Sequence, residues 1–362
     1  MKIVDETKLD FDDILLVPAR SPAASRKEVQ LKRTFKFFHS PKEWRGLPII
    51  AANMDTTGTF EMGSALSKHE AVTCLHKYYE PDKVVEYFKY YNVEPSVWVS
   101  IGMNKDDLDK LQTIKNGIHS EPNICIDIAN GYTEKFVEWC SVVRSHFPNS
   151  IIMAGNVCTP EMVQELVLHG GVDIVKIGIG PGSACTTRLK TGVGYPQLSA
   201  IIECSHAAHG LKSGDGKMGL ICADGGCRIP ADICKAFAAN ADFVMLGGML
   251  AGTDECEGEW QYSTQEKKTG LKFYGMSSEK AQDKHNGGMN NYAASEGRVK
   301  IMPYKGPADS VMDDIKGGLR SCCAYVGATS LKDLPKCAKA IKVNRTHFDL
   351  SLIHISEPTR PY

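Results

Sequence analysis

The chain has 362 residues, with 42 Lys plus Arg against 43 Asp plus Glu, 43% hydrophobic content and a formal charge of −1. Near-neutrality excludes bulk electrostatic attraction to nucleic acid or an anionic membrane surface, so neither partner is expected and any ligand is recognised locally. Thirteen cysteines, odd in number and dispersed through so long a chain, do not form the dense framework of a small secreted scaffold.

In chain order, the opening MKIVDETKLDFDD carries charges inside each short apolar stretch, unlike a signal peptide. No apolar run reaches the roughly 18 residues of a membrane span, so a reducing, cytoplasmic setting is expected. Short apolar runs then recur: Leu47–Asn53, Val72–Tyr78, Ser96–Gly102, Asn123–Ile128, Ile151–Asn156, Asp173–Ile179, Gly219–Ala223 and Asp242–Gly247. Eight strands at a spacing of roughly 25 residues predict a single (β/α)8 TIM barrel rather than the two domains that length alone suggests. The stretches between them read as helices. Phe136, Val137, Cys140 and Val143 make one stripe after a capping Thr133. Thr159-Pro160-Glu161 and Pro230 mark two further helix starts. The polar LKSGDGKMG stretch at Leu211 reads as a neutral loop on the opposite face. After the eighth strand, residues 252–305 are too long for a connector and are expected to form a flap over the barrel mouth, ahead of a last helix from Pro307 to Arg320. One barrel domain is therefore expected over 1–350. The last residues, 351–362 (SLIHISEPTRPY), lack period and read as an unstructured scar.

Barrel active sites lie at the carboxyl ends of the strands, with phosphate held after strands seven and eight. There the sequence places Asp224-Gly225-Gly226 and Gly247-Gly248, whose missing side chains let backbone N–H groups approach a phosphate. After strand six comes GIGPGSACTTRLKTGVGYPQLSA, which is neither a Walker A nor a Rossmann fingerprint. Cys185 sits within it, on a loop beside Thr186, Thr187 and Arg188, in surroundings that favour a nucleophilic thiolate.

That loop, with AANMDTTGTFEM from Ala51, CIDIANGY from Cys125, DGGC from Asp224, FVMLGGMLAG from Phe243, FYGMSS from Phe273 and SEG from Ser295, resembles the IMP dehydrogenase/GMP reductase family across nearly the whole chain. The reductase branch fits better. The short Glu80-to-Ser96 connection leaves no room for the CBS-domain pair of the dehydrogenases, and no Arg-Tyr pair occurs between Gly252 and Lys305. The resemblance implies NADPH-dependent reductive deamination of GMP to IMP and ammonia in purine nucleotide interconversion. By it, Cys185 is the nucleophile and Thr187 with Glu296 the general acid. Contacts to GMP fall on Asp224, Gly225, Gly226, Gly247, Gly248, Gly275, Met276, Ser277, Ala293, Ala294, Ser295, Glu296 and Gly297. Contacts to NADPH fall on Ser25, Arg26, Lys77, Asp127, Ile128, Ala129, Ile179, Gly180, Met276, Tyr292, Ala293, Ser321, Cys322, Cys323 and Ala324. A potassium ion (K+) is implied on Gly180, Gly182 and Cys185, with Arg188 from a neighbouring chain, and so is a homotetramer. Two departures stand out. Ala293 follows Tyr292 where the family carries Arg, which should weaken ligand binding by removing charge-assisted bonds, and residues 253–272 form a longer insertion than usual.

Other classes compete with this reading. A metal or redox module would draw on Cys204, His206 and His209, or on the vicinal Cys322-Cys323 pair, yet the chain has no CxxC. A non-catalytic nucleotide binder would keep the glycines but has no use for Cys185, Thr187 and Glu296 together. Among enzymes, IMP dehydrogenase is the alternative.

Overall fold

Apolar runs buried on both faces make parallel strands, and the amphipathic stretches between them wrap outside. A computed structural model describes residues 1, 3–22, 25–91, 93–214, 216–288 and 294–344; the 351–362 segment, Tyr292 and Ala293 lie outside the described residues. Before the barrel come β1 (Ile14–Leu16) and the antiparallel hairpin β2 (Arg33–Lys36) and β3 (Glu43–Gly46). The barrel then alternates β4 (Ile49–Ala51), α1 (Phe60–Lys68), β5 (Val72–Leu75), α2 (Pro81–Tyr91), β6 (Val97–Ile101), α3 (Lys105–Ile118), β7 (Ile124–Asp127), α4 (Glu134–His146), β8 (Ile152–Val157), α5 (Pro160–Leu168) and β9 (Ile174–Ile177). The short α6 (Thr187–Thr191), then α7 (Gln197–Gly210), a two-residue-stranded hairpin of β10 (Lys212–Ser213) and β11 (Gly216–Lys217), β12 (Leu220–Asp224), α8 (Pro230–Ala238) and β13 (Phe243–Leu246) follow. The eight expected strands close into one parallel barrel in the order β12-β13-β4-β5-β6-β7-β8-β9. The Leu211 stretch is thus a small hairpin rather than a bare loop.

The barrel interior holds Ile50, Cys74, Trp98, Cys125, Met153, Ile174, Cys222 and Phe243, all fully or almost fully buried. Its amino-terminal end is plugged by β2 and β3: the Phe35 and Trp44 rings lie 4.7 and 5.2 Å from the Phe243 ring. With that end closed by aromatics, the open end is the carboxyl end. Outside, Phe136, Cys140 and Val143 of α4 and Val163, Leu166 and Val167 of α5 bury the predicted stripes. Thr133 and Thr159 occupy the N-cap positions but make no side-chain cap; the Thr159 hydroxyl accepts instead from the Tyr132 hydroxyl at 3.2 Å.

The 252–305 stretch contains β14 (Trp260–Tyr262), β15 (Lys268–Tyr274), α9 (Glu279–Asn286) and β16 (Val299–Pro303), with the strands forming an antiparallel sheet. Part of the 253–272 segment builds the β14–β15 hairpin. The last barrel helix, α10 (Ala308–Val326), runs beyond the predicted Arg320; after it come α11 (Leu334–Cys337) and β17 (Ala340–Lys342), which pairs with β1.

Candidate active site

A cleft of about 280 Å³ opens at the carboxyl ends of the strands. The loop after β9 forms one wall. Gly178 there has φ +148°, and a Cβ would lie 2.1 Å from the Asp224 carbonyl oxygen, so only glycine lets the chain turn against β12. Four residues on, at Gly182, the loop tightens: the Cys185 N–H donates to the Gly182 carbonyl at 3.0 Å. The half-buried Cys185 thiol lies 3.2 Å from Thr187 Oγ1, and that hydroxyl donates to Glu296 Oε2 at 2.6 Å. Glu296 comes from 109 residues further along the chain, yet its place is set by backbone pairing. Cys185 and Gly297 form an antiparallel bridge, the Thr186 N–H donates to the Glu296 carbonyl at 2.8 Å, and the Arg298 N–H donates to the Ala184 carbonyl at 2.9 Å. A thiol, a hydroxyl and a carboxylate therefore stand in one hydrogen-bonded line along the cleft wall. That line can exchange a proton beside a nucleophilic sulfur.

Asp224, Gly225, Gly226, Gly247, Gly248, Gly275, Met276 and Ser277 all line the same cleft. Gly225 has φ +90°, and a Cβ there would lie 3.0 Å from the Pro181 ring and 3.2 Å from the Gly182 nitrogen, so a side chain at this point of the wall is strained. Ala294, Ser295 and Gly297 lie in the flap segment paired with the Cys185 loop rather than on the cleft wall itself.

Below these residues is a charge network that sequence reading missed. Lys176, on β9, is 3% exposed; its Nζ donates to Asp127 Oδ1 at 2.5 Å and to Asp224 Oδ2 at 2.8 Å. Asn156 Nδ2 donates to the same Asp224 oxygen at 2.9 Å and to the Gly178 carbonyl at 2.8 Å. Burial opposes charge on Lys176, but the Asp127 and Asp224 carboxylates hold its pKa well above the ordinary value. Burial likewise opposes charge on Asp127, and Lys176 outweighs it, leaving Asp127 below its ordinary value. The signal was present in DIVKIGI, a single lysine in an otherwise apolar strand, because a central barrel strand tolerates a cation only where carboxylates meet it.

The flap is fastened over the mouth through Asp55, 1% exposed, in the AANMDTTG loop. Its Oδ2 accepts from Tyr274 Oη at 2.8 Å and Lys284 Nζ at 3.0 Å and lies 2.6 Å from His285 Nε2. The His285 ring stacks on Tyr78 at 3.4 Å. Burial pushes Asp55 up, but its bonds with His285, Tyr274 and Lys284 leave it below its ordinary value.

The residues expected to contact NADPH fall in two places. Asp127, Ile128, Ala129, Ile179, Gly180 and Met276 line the cleft, and half-buried Lys77 lies near Asp127. Ser25 and Arg26 instead form a 3-10 turn, with Arg26 5.8 Å from the Tyr325 ring of α10, and Ser321 to Ala324 lie in the last turns of α10. At 1.5 Å per residue α10 runs roughly 28 Å from the flap to the opposite rim. Arg33, seven residues past Arg26, pairs with Asp242 at the start of β13, next to Phe243 where the aromatic plug packs. One chain does not bring the two groups together. Arg188 pairs with Asp10 at 3.3 Å and donates to the Tyr195 carbonyl of its own chain.

The competing Cys204, His206 and His209 do not converge on one site. Cys204 is fully buried in the core, His206 is exposed, and His209 lies 2.6 Å from Asp242. No group of three His, Cys, Asp or Glu that could hold a metal ion occurs among the described residues. Nor is any described helix long and apolar enough to cross a membrane.

Residues 8–354 match the family model described as "IMP dehydrogenase / GMP reductase domain". The chain belongs to this family. It is 51% identical over 345 residues to a GMP reductase of Photobacterium profundum, covering 95% of this chain and 97% of that one. It is also 51% identical over 350 residues to human GMP reductase 1, covering 96% and 98%. Inosine 5′-monophosphate dehydrogenase from Legionella pneumophila shares the fold, with a TM-score of 0.78 and 32% identity over 94% of this chain and 99% of that one.

Proposed function

We propose that the chain is an oxidoreductase that converts GMP to IMP and ammonia at the expense of NADPH. The observation that carries the reading is the Cys185–Thr187–Glu296 line beside a glycine-walled cleft, in a chain about half identical to named GMP reductases over nearly its full length. The 5′-phosphate rests against Gly225, Gly226, Gly247 and Gly248, which places the purine toward Cys185. The thiolate adds to C2 of the base. The amino group leaves as ammonia once Thr187, backed by Glu296, delivers a proton, and a covalent thioimidate remains on Cys185. Bound NADPH would supply the hydride at C2 that lets the Cys185 thiolate depart and leaves IMP. Lys176 and Asn156 hold Asp224 and Asp127 at the floor, and the Asp55 latch keeps Glu296 on the Cys185 loop.

The cleft group of Lys77, Asp127, Ile128, Ala129, Ile179, Gly180 and Met276 fits a cofactor's reactive end. It pairs an apolar wall with Lys77, a cation that has no carboxylate salt bridge among the described residues and suits a cofactor phosphate. The rim group of Ser25, Arg26 and Ser321 to Ala324 would serve the cofactor of a neighbouring subunit in a homotetramer. The Gly180, Gly182 and Cys185 carbonyls offer hard oxygen donors suited to a potassium ion, although the Gly182 carbonyl already spends one lone pair on the Cys185 N–H. Replacing Cys185 with Ser tests the chemistry: GMP binding is retained, turnover is lost, and no covalent adduct appears in intact-mass spectra of the reacting enzyme. Turnover by the variant would refute the thioimidate route.

A further inference from the structure

Behind the glycine wall lies a second cavity, of about 540 Å³. It shares Ser183, Cys227, Arg228 and Gly248 with the cleft, so it begins where the proposed function puts the nucleotide's phosphate. Arg228, Lys300 and Lys305 line it together with the exposed Asp314; since Arg228 already has carboxylate partners, the excess positive charge rests on the two lysines. Arg228 is steadied by Asp12 and Asp232. Lys305 Nζ donates to the Gly248 and Met249 carbonyls at 3.0 and 2.8 Å, contacts that fix the ammonium without neutralising it. Lys300 is half-buried and has no carboxylate partner among the described residues; burial, and then the Arg298 charge, lower its pKa. A half-buried lysine without a carboxylate partner, at the wall of a cavity lined by two further cations, is an arrangement that an anion completes. The first turns of α8 and α10 also line the space, through Ile229, Pro230, Ser310 and Val311. Their dipoles add to the positive potential.

We propose that this cavity is a subsite for the second phosphate of a nucleoside 5′-diphosphate. GDP then binds with its first phosphate on the glycine wall and its second among Arg228, Lys300 and Lys305, and competes with GMP. The reaction needs one phosphate only, so the subsite would make the enzyme sensitive to the more highly phosphorylated guanine pool. The proposal rests on the nucleotide reading of the cleft, and the test separates the two.

Isothermal titration of the full chain with GMP, GDP and inorganic phosphate, for the wild type, Lys300→Ala and Lys300→Glu, decides it. GDP is expected to bind and to be displaced by GMP. Loss of one charge-assisted contact should weaken GDP by about tenfold in Lys300→Ala, and by more in Lys300→Glu, with GMP affinity held within about twofold. Retained GMP affinity also shows that the variants are folded. If GMP binds and GDP does not, or if both variants bind GDP like the wild type, the subsite is refuted and the nucleotide reading survives. If inorganic phosphate binds the GMP-saturated protein through Lys300 while GDP does not bind, the nucleoside-diphosphate form is refuted. If neither nucleotide binds, both readings fall.

Discussion

Replacing Lys176 with Met keeps the side chain's length and removes the charge between Asp127 and Asp224. Removing one member of a buried ion pair costs roughly 3–5 kcal/mol, because the remaining charge is left uncompensated. Here the lysine is 3% exposed, but Asp127 and Asp224 keep 25% and 20% of their side chains open to the cleft. Water reaches the stranded carboxylates, so the lower end, about 3 kcal/mol, is expected. A chain of this length has an unfolding entropy of about 0.7 kcal/mol/K, so the melting temperature should fall by about 4 °C. The pH dependence is more diagnostic. In the wild type, Asp127 lies below its ordinary 3.8 and Lys176 well above its ordinary 10.5, despite the burial that opposes both charges. The pair's contribution is therefore complete between those two values. It is lost as pH falls through the depressed Asp127 pKa or rises through the raised Lys176 pKa. In the variant, Asp127 keeps its burial without the cation, so its pKa rises above the unfolded value. A group of that kind costs stability as pH climbs through its folded pKa, so the deficit should shrink between about pH 7 and pH 4. Thermal melts followed by circular dichroism across that range measure it. A deficit under about 0.5 kcal/mol, or one that does not change with pH, would refute the reasoning.

Thr187→Val should lower kcat by about 10²–10⁴ while leaving GMP affinity nearly unchanged, since it removes proton delivery and does not touch the phosphate wall, and Glu296→Gln should lower kcat by the same order; paired steady-state and binding assays check this. Asp55→Ala leaves Tyr274, Lys284 and His285 without their shared acceptor. At about 1.5 kcal/mol for a hydrogen bond to a charged group, closure of the flap and kcat should fall by about tenfold, and limited proteolysis should cut the 252–305 segment faster; an unchanged kcat would break the link between latch and Glu296. Gly225→Ala should raise the GMP KM by more than about tenfold, because strain at φ +90° adds to a Cβ beside Pro181 and Gly182, a cost of about 1–3 kcal/mol. Titration with GMP reads the loss directly.

The barrel strands were legible because parallel strands buried on both faces become uninterrupted apolar runs, such as VTCL in β5 and FVML in β13. The flap sheet was not. In β16 the burial alternates only between exposed and half-buried positions, with apolar Val299 and Ile301 on the exposed side, and Gly270 interrupts β15, so neither shows the buried apolar face that marks a strand in sequence. The β2–β3 plug escaped for a related reason: Phe35 and Trp44 are each flanked directly by charged or polar residues, and their partner Phe243 is some two hundred residues away. In the site, Cys185 and the glycines could be read from motif and position. The closeness of Glu296 to Thr187 depends on a backbone bridge across more than a hundred residues, which no local pattern encodes. Lys176, Asn156 and Asp55 act through tertiary partners and likewise carry little local signal beyond one charge in an apolar strand.

The central claim, that the Cys185 loop and flap reduce GMP with loss of its amine, is tested most directly by following cofactor absorbance in two parallel reactions of the purified chain. With GMP and NADPH, the reduced-cofactor signal should fall, with IMP and ammonia formed in equal amounts. If that reaction is silent while IMP and NAD yield NADH, the chain is a dehydrogenase and the proposed function is wrong.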